Sequence, residues 1–155
     1  MCSQEGNIMK RNKGFSLLEL LIVVAIILII ATIAIPSLLR SRQAANESSA
    51  VGTLRTINTA QATYMGSSGG TYGELPDLVA AGLMDSRFSA GTISGYIYAI
   101  TTGTGDYTVS ATPNATNSGR YGYYSTPDAV VRYQTATSAT CAPCFPVGQG
   151  GNPIQ

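Results

Sequence analysis

The sequence predicts an α+β protein: a long N-terminal α-helix whose first half suits a lipid bilayer, packed on a head with a four-stranded antiparallel sheet. Three observations carry this. Residues Leu20 to Leu39 include no charged side chain. Apolar residues then recur at helical spacing as far as Tyr64 and stop at Gly66-Ser67-Ser68-Gly69-Gly70. Beyond that break, short runs rich in Tyr, Val, Ile and Thr alternate with turn sequences containing Gly, Pro and Asp. The composition narrows the function. Of 155 residues, 45% are hydrophobic and 11% charged, the latter about half the usual share for a soluble domain. A net charge of +1 offers no basic surface for nucleic acid. There is no His, which removes the commonest general base, every Ser-His or Cys-His dyad and the usual zinc and iron ligands. No catalytic residue, metal set or cofactor motif emerges, and an enzyme is not expected.

The first element is the apolar helix. Leu20 to Ala31 is unbroken aliphatic sequence, and Thr32 is the only polar interruption before Pro36. Leu17 to Ile35 is 19 residues, long enough to span a bilayer. A core helix apolar on every face needs protein on every side, and the 90 residues after Met65 are too few to wrap it. Lys10, Arg11 and Lys13 precede the run, which places the N-terminus on the cytoplasmic side and the rest outside. Arg40 and Arg42 weaken that asymmetry. No Ala-x-Ala site follows the run, against an ordinary removed signal peptide.

Glu19 does not fit a plain anchor. An acidic residue costs about 2.5–3.5 kcal/mol at the centre of a membrane helix, less near an end. No Lys or Arg follows within 20 residues, so its partner must come from elsewhere. A free amine made by cleavage just upstream would serve, in this chain or in a neighbouring one.

The stretch Lys10-Arg11-Asn12-Lys13-Gly14-Phe15-Ser16-Leu17-Leu18-Glu19-Leu20 resembles the N-terminal motif of type IV prepilins and the related pseudopilins. A basic leader ending in Gly14, then Phe15, then Glu19, then the aliphatic run all occur in register. The resemblance is strong over Lys10 to Tyr64 and weak beyond. It implies that a membrane-embedded prepilin peptidase cuts between Gly14 and Phe15 and N-methylates Phe15. It further implies that Glu19 offsets the positive terminus of the adjacent subunit in a helical homo-oligomeric filament, built by inner-membrane assembly machinery. The leader is then 1–14, with Met9 an alternative start; Cys2, which follows no apolar signal region, would be lost with it. The chain would sit in the inner membrane before assembly and in an extracellular pilus or periplasmic pseudopilus afterwards.

The long helix is expected over 15–65, with 17–35 crossing the membrane; 51 residues reach about 75 Å. Pro36 cannot donate to the carbonyl of Thr32 and is expected to kink it. Further on, Leu38, Leu39, Ala45, Val51, Leu54, Ile57, Ala60 and Tyr64 form the packing face, with Arg42, Glu47, Arg55 and Asn58 on other faces. The head, 66–155, should begin with a short helix from near Pro76, capped by Gly82. Strands are expected at Gly95–Thr101 and Tyr107–Thr112 around the loop Thr102–Asp106, then at Arg120–Ser125 and Val130–Tyr133 around Thr126–Ala129.

Cys141-Ala142-Pro143-Cys144 lies among prolines and glycines with no helix to depress a thiol pKa, and there is no His to complete a metal site. It reads as a disulfide stapling the tail outside the cytoplasm, ahead of free thiols or redox or metal work. Asn114-Ala115-Thr116 and Asn46-Glu47-Ser48 match the glycosylation pattern, which is common by chance. The head tyrosines read as cross-strand packing rather than an electron path. Two functions follow from the resemblance: a pilus subunit serving adhesion, twitching or DNA uptake, or a pseudopilin of a type II secretion system. The commonest pseudopilin has an acidic calcium loop near its C-terminus, whereas no acidic residue follows Asp128 here; that favours the pilus.

Overall fold

The computed structural model describes residues 14–135 and 152–154. The chain divides into two compact units, one up to Ser37 and one from Leu38 onward. Helix α1 spans Leu17–Ser67 and carries Pro36 in its interior.

In the first unit, residues 14–30 are all exposed. Leu17, Ile22 and Ile29 leave 82%, 55% and 64% of their surfaces uncovered. This part of α1 is long and apolar enough to cross a membrane. Its one hydroxyl-bearing residue near the middle is accommodated locally: the Thr32 hydroxyl donates to the Ile29 carbonyl at 2.7 Å, so it need not be solvated.

The second unit folds around the rest of α1. Ala50, Leu54, Ile57 and Ala60 are buried in one apolar core with Leu75, Leu78, Phe88, Tyr96, Tyr98, Val109, Ala111 and Tyr123. Glu47, Asn58 and Gln61 are buried on the same helix face. The expected face is therefore corrected: Glu47 and Asn58 point inward, while Leu38, Leu39 and Ala45 are exposed. The physical reason is that each buried polar group has a partner, and a hydrogen-bonded polar group is tolerated in a core. Gln61 is the clearest case. Its Nε2 donates to the Gly73 carbonyl at 2.6 Å, and its Oε1 accepts from the Gly73 N–H at 3.1 Å. A side chain at Gly73 would strike the Tyr64 ring.

Helix α2, Leu75–Ala80, starts with Pro76 in its first turn. It ends as the sequence indicates. Gly82 is left-handed (φ 70), its N–H donates to Val79, and the Leu83 N–H donates to Leu78, which satisfies the last carbonyls of the helix. A 3-10 turn, Ser86–Ala90, follows, begun by Asp85, whose carboxylate accepts the Arg87 N–H at 2.8 Å.

The sheet has six strands in sequential antiparallel order: β1 Thr92–Ile93, β2 Tyr96–Gly103, β3 Asp106–Pro113, β4 Tyr121–Ser125, β5 Arg132–Thr135 and β6 Asn152–Pro153. The four expected strands are β2 to β5, and the count of four is corrected to six. Strands β1 and β6 have two residues each, too few to show an alternation. The β1–β2 turn places Ser94 (φ 50) and Gly95 (φ 77) both in the left-handed region, the backbone that matches strand twist in a two-residue hairpin. Inside the sheet, Ala111 lies between Tyr98 and Tyr123 on its two neighbouring strands. A small residue between two rings lets both lie in one layer.

Candidate functional site

Residues Gly14 to Ser16 precede the helix, and its first backbone bond runs from the Leu20 N–H to the Ser16 carbonyl at 3.2 Å. A methyl group placed on Gly14 would meet nothing within 4 Å, and Phe15 is 83% exposed. The Gly14–Phe15 bond therefore lies in exposed, non-helical backbone. Proteolysis of a helical bond would first require unwinding.

Glu19 lies in the first turn of α1. There it faces the positive end of the helix dipole, which is worth about 0.3–1 kcal/mol at a surface. That is smaller than the cost of a carboxylate at a membrane centre, so the dipole alone is weak compensation. Among the described residues Glu19 forms no ion pair; the pairs are Arg87–Asp85, Arg120–Glu47 and Arg132–Asp128. Phe15, Leu18 and Leu20 around it are exposed. Among the described residues the site is thus an unpaired carboxylate on an apolar helix surface, four residues beyond the exposed residue Phe15.

Cys141 and Cys144 lie outside the described residues. Among the described residues no cluster of three or more His, Cys, Asp or Glu could hold a metal ion.

The buried polar groups of the head are joined to distant strands. Asn58 donates to the Ser125 hydroxyl at 2.8 Å and accepts from the Tyr107 hydroxyl at 2.9 Å. Ser125 in turn donates to the Val130 carbonyl at 3.2 Å. Burial, then the nearby Tyr72, Asp128 and Asp106, push the Tyr107 phenol up to about 12. The turn after β4 is held by Asp128, which accepts from the Thr126 hydroxyl, the Val130 N–H and, at 2.6 Å, the Arg132 guanidinium. The Arg132 bond, above all, keeps the Asp128 carboxyl below its ordinary range. These contacts position strands rather than perform chemistry.

Near the start of the second unit, three side chains of α1 hold one loop. Gln43 donates to the Thr116 carbonyl at 3.4 Å, Asn46 donates to the Ser118 carbonyl at 2.9 Å, and Glu47 accepts from the Arg120 N–H at 2.8 Å. Their spacing along the helix was visible in the sequence, but what they reach was not. The head tyrosines do pair across strands, Tyr121 with Tyr133 at 5.3 Å and Tyr96 with Tyr123 at 6.0 Å between ring centres.

Comparison with known proteins bears on this site first. Residues 9–35 match the family model described as the prokaryotic N-terminal methylation motif. Over 54 residues the chain is 46% identical to the type IV major pilin protein PilA of Myxococcus xanthus, covering 35% of this chain and 24% of that relative. Over 132 residues it is 33% identical to the type IV wide pilus major component PilA4 of Thermus thermophilus, covering 81% of this chain and 96% of that relative. No solved structure matches.

Proposed function

The chain belongs to the type IV pilin family, and from that premise we propose that it is cleaved between Gly14 and Phe15, N-methylated on Phe15 and polymerised through α1 into a pilus. It is a structural subunit and not an enzyme. The observation that carries the finer reading is the exposed Gly14–Phe15 junction, in register with Glu19 and with an apolar helix exposed on every face. Water adds across the Gly14–Phe15 amide, leaving a carboxylate on Gly14 and an amine on Phe15. Methylation keeps that amine basic.

In the bilayer the lone Glu19 carboxylate is costly. Beside the Phe15 ammonium of a neighbouring copy it is compensated, because a buried charge is tolerated when paired. Docking at one axial stagger is then favoured over others. Pro36 relieves the helix between membrane part and head, and prepilin peptidase and inner-membrane machinery are the partners. Residues 1–14 act as leader, 15–65 as the assembly helix and 66–155 as the head, whose tail is closed by a Cys141–Cys144 disulfide. Both relatives are named as major pilus components, which supports a pilus over a secretion pseudopilus.

Mass spectrometry of the N-terminal peptide from sheared filaments tests this. The expected species begins with N-methylated Phe15, and an intact Gly14–Phe15 bond in filament material refutes it. Alkylation without reductant should leave Cys141 and Cys144 unlabelled.

A further inference from the structure

A groove of about 630 Å³ opens between α1 and the β4–β5 part of the sheet, within the range of about 300–1,000 Å³ typical of small-molecule sites. Tyr121, Tyr123 and Tyr133 line it from the sheet, and Glu47, Val51 and Arg55 from the helix. We propose that this groove binds a saccharide, two or three hexose units that are neutral or carry one carboxylate.

Two unused polar atoms converge there. Tyr123 is only 5% exposed, and among the described residues its hydroxyl has no hydrogen-bond partner. The Glu47 side chain is 11% exposed; its Oε1 takes both the Arg120 N–H and, at 3.5 Å, the Arg120 guanidinium. Among the described residues its Oε2 is bonded to nothing. A free donor and a free acceptor facing the same groove suit a ligand group that both accepts and donates, and a hydroxyl does both. Burial, then Glu47, Tyr121 and Tyr133, raise the Tyr123 phenol to about 12, so it stays a donor at neutral pH.

The charges exclude other ligand classes. Arg55 lines the groove, and Arg120 already sits over the Tyr121 ring at 5.3 Å, so a cation is repelled. Glu47 repels a dianion, and Arg55 alone would have to hold it. A purely apolar ligand would leave Tyr123 and Glu47 unsatisfied, which binding sites penalise. A sugar ring meets each demand. Its C–H face packs on the electron-rich face of a tyrosine, its hydroxyls bridge Tyr123 and Glu47, and one carboxylate could reach Arg55.

This goes beyond the filament reading and does not depend on it. The test uses the full chain in detergent, where polymerisation plays no part. Oligosaccharides from cellulose and chitin, and a disaccharide carrying a single uronic acid, are titrated in turn by calorimetry. At least one class should bind at micromolar to millimolar concentration. Tyr123→Phe, which removes only the hydroxyl, should weaken it about fivefold or more, and Arg55→Ala should weaken the uronate preferentially. Tyr133→Ala, checked for unchanged thermal unfolding, should weaken every class. No binding of any class at millimolar concentration, or binding undiminished in both tyrosine variants, overturns the proposal.

Discussion

Ile22 and Ile57 belong to the same helix, yet Ile22 is 55% exposed and Ile57 not at all. The two acidic residues of α1 invert that contrast. Glu19 stands on an exposed apolar surface and has no cation among the described residues, whereas Glu47 is buried and held by Arg120. In the second unit, burial is completed by the chain's own strands, and every inward polar group of α1 finds a partner there. Among the described residues, the first unit has neither cover for its aliphatic side chains nor a counter-charge for Glu19. On the function proposed above, what completes that half comes from outside the chain, first lipid and then other copies.

The strongest way to break this contrast is Glu19→Val. Removing a charge intended for a buried pair forfeits about 3–5 kcal/mol of docking preference. The variant should insert and be cleaved normally, collect in the inner membrane and yield less than about a tenth of the wild-type filament in cells lacking the native subunit. Sheared-filament yield against membrane content measures it, and normal yield shows the carboxylate to be dispensable.

Next is Leu54→Ala, which should destabilise the head by about 2–5 kcal/mol in denaturant unfolding, because it leaves a cavity in a closed core. Leu28→Ala, equally aliphatic on paper, should leave head unfolding unchanged. Similar losses from both would mean that the two halves do not differ as described.

Asn58→Ala tests the buried polar groups. It strands the Tyr107 hydroxyl and removes the donor to the Ser125 hydroxyl, which keeps its own bond to the Val130 carbonyl, and should cost about 1–3 kcal/mol, with Tyr107→Phe costing less. A double-mutant cycle should show the two effects to be coupled.

The smallest effect is in acid. Asp128 has a folded pKa depressed below the ordinary value of 3.8, so its contribution is fully present above that value and is lost as pH falls through the folded pKa. Being partly exposed, it should contribute less than about 1 kcal/mol. Asp128→Asn should flatten the stability profile below pH 3.8 and change little at neutral pH.

The helix, the β2–β3 hairpin and the Gly82 cap were legible because each is written locally, in periodicity, turn residues and a left-handed glycine. The Gly14, Phe15 and Glu19 motif on which the proposed function rests is likewise written locally. What escaped were features made by distant partners. Asn58 and Glu47 look like surface residues until Ser125 and Arg120 are brought to them, 67 and 73 positions on. Strand β1 is defined by its pairing with β2, with Thr92 opposite Ile97, and two residues carry no pattern of their own. The groove needed Tyr123 on a strand and Arg55 on a helix to be seen together.

The loop after β3 is gripped by Gln43, Asn46 and Glu47 through its main chain: two carbonyls and one N–H. None of those bonds depends on which side chains Thr116 and Asn117 carry, and both residues are exposed. Gly119 is different, since any side chain there would run into the Tyr96 ring. Substitutions can therefore accumulate at 116 and 117 without altering the path of the backbone, while 119 stays fixed. The chemistry displayed at 116 and 117 is thus uncoupled from the fold of the head that holds them.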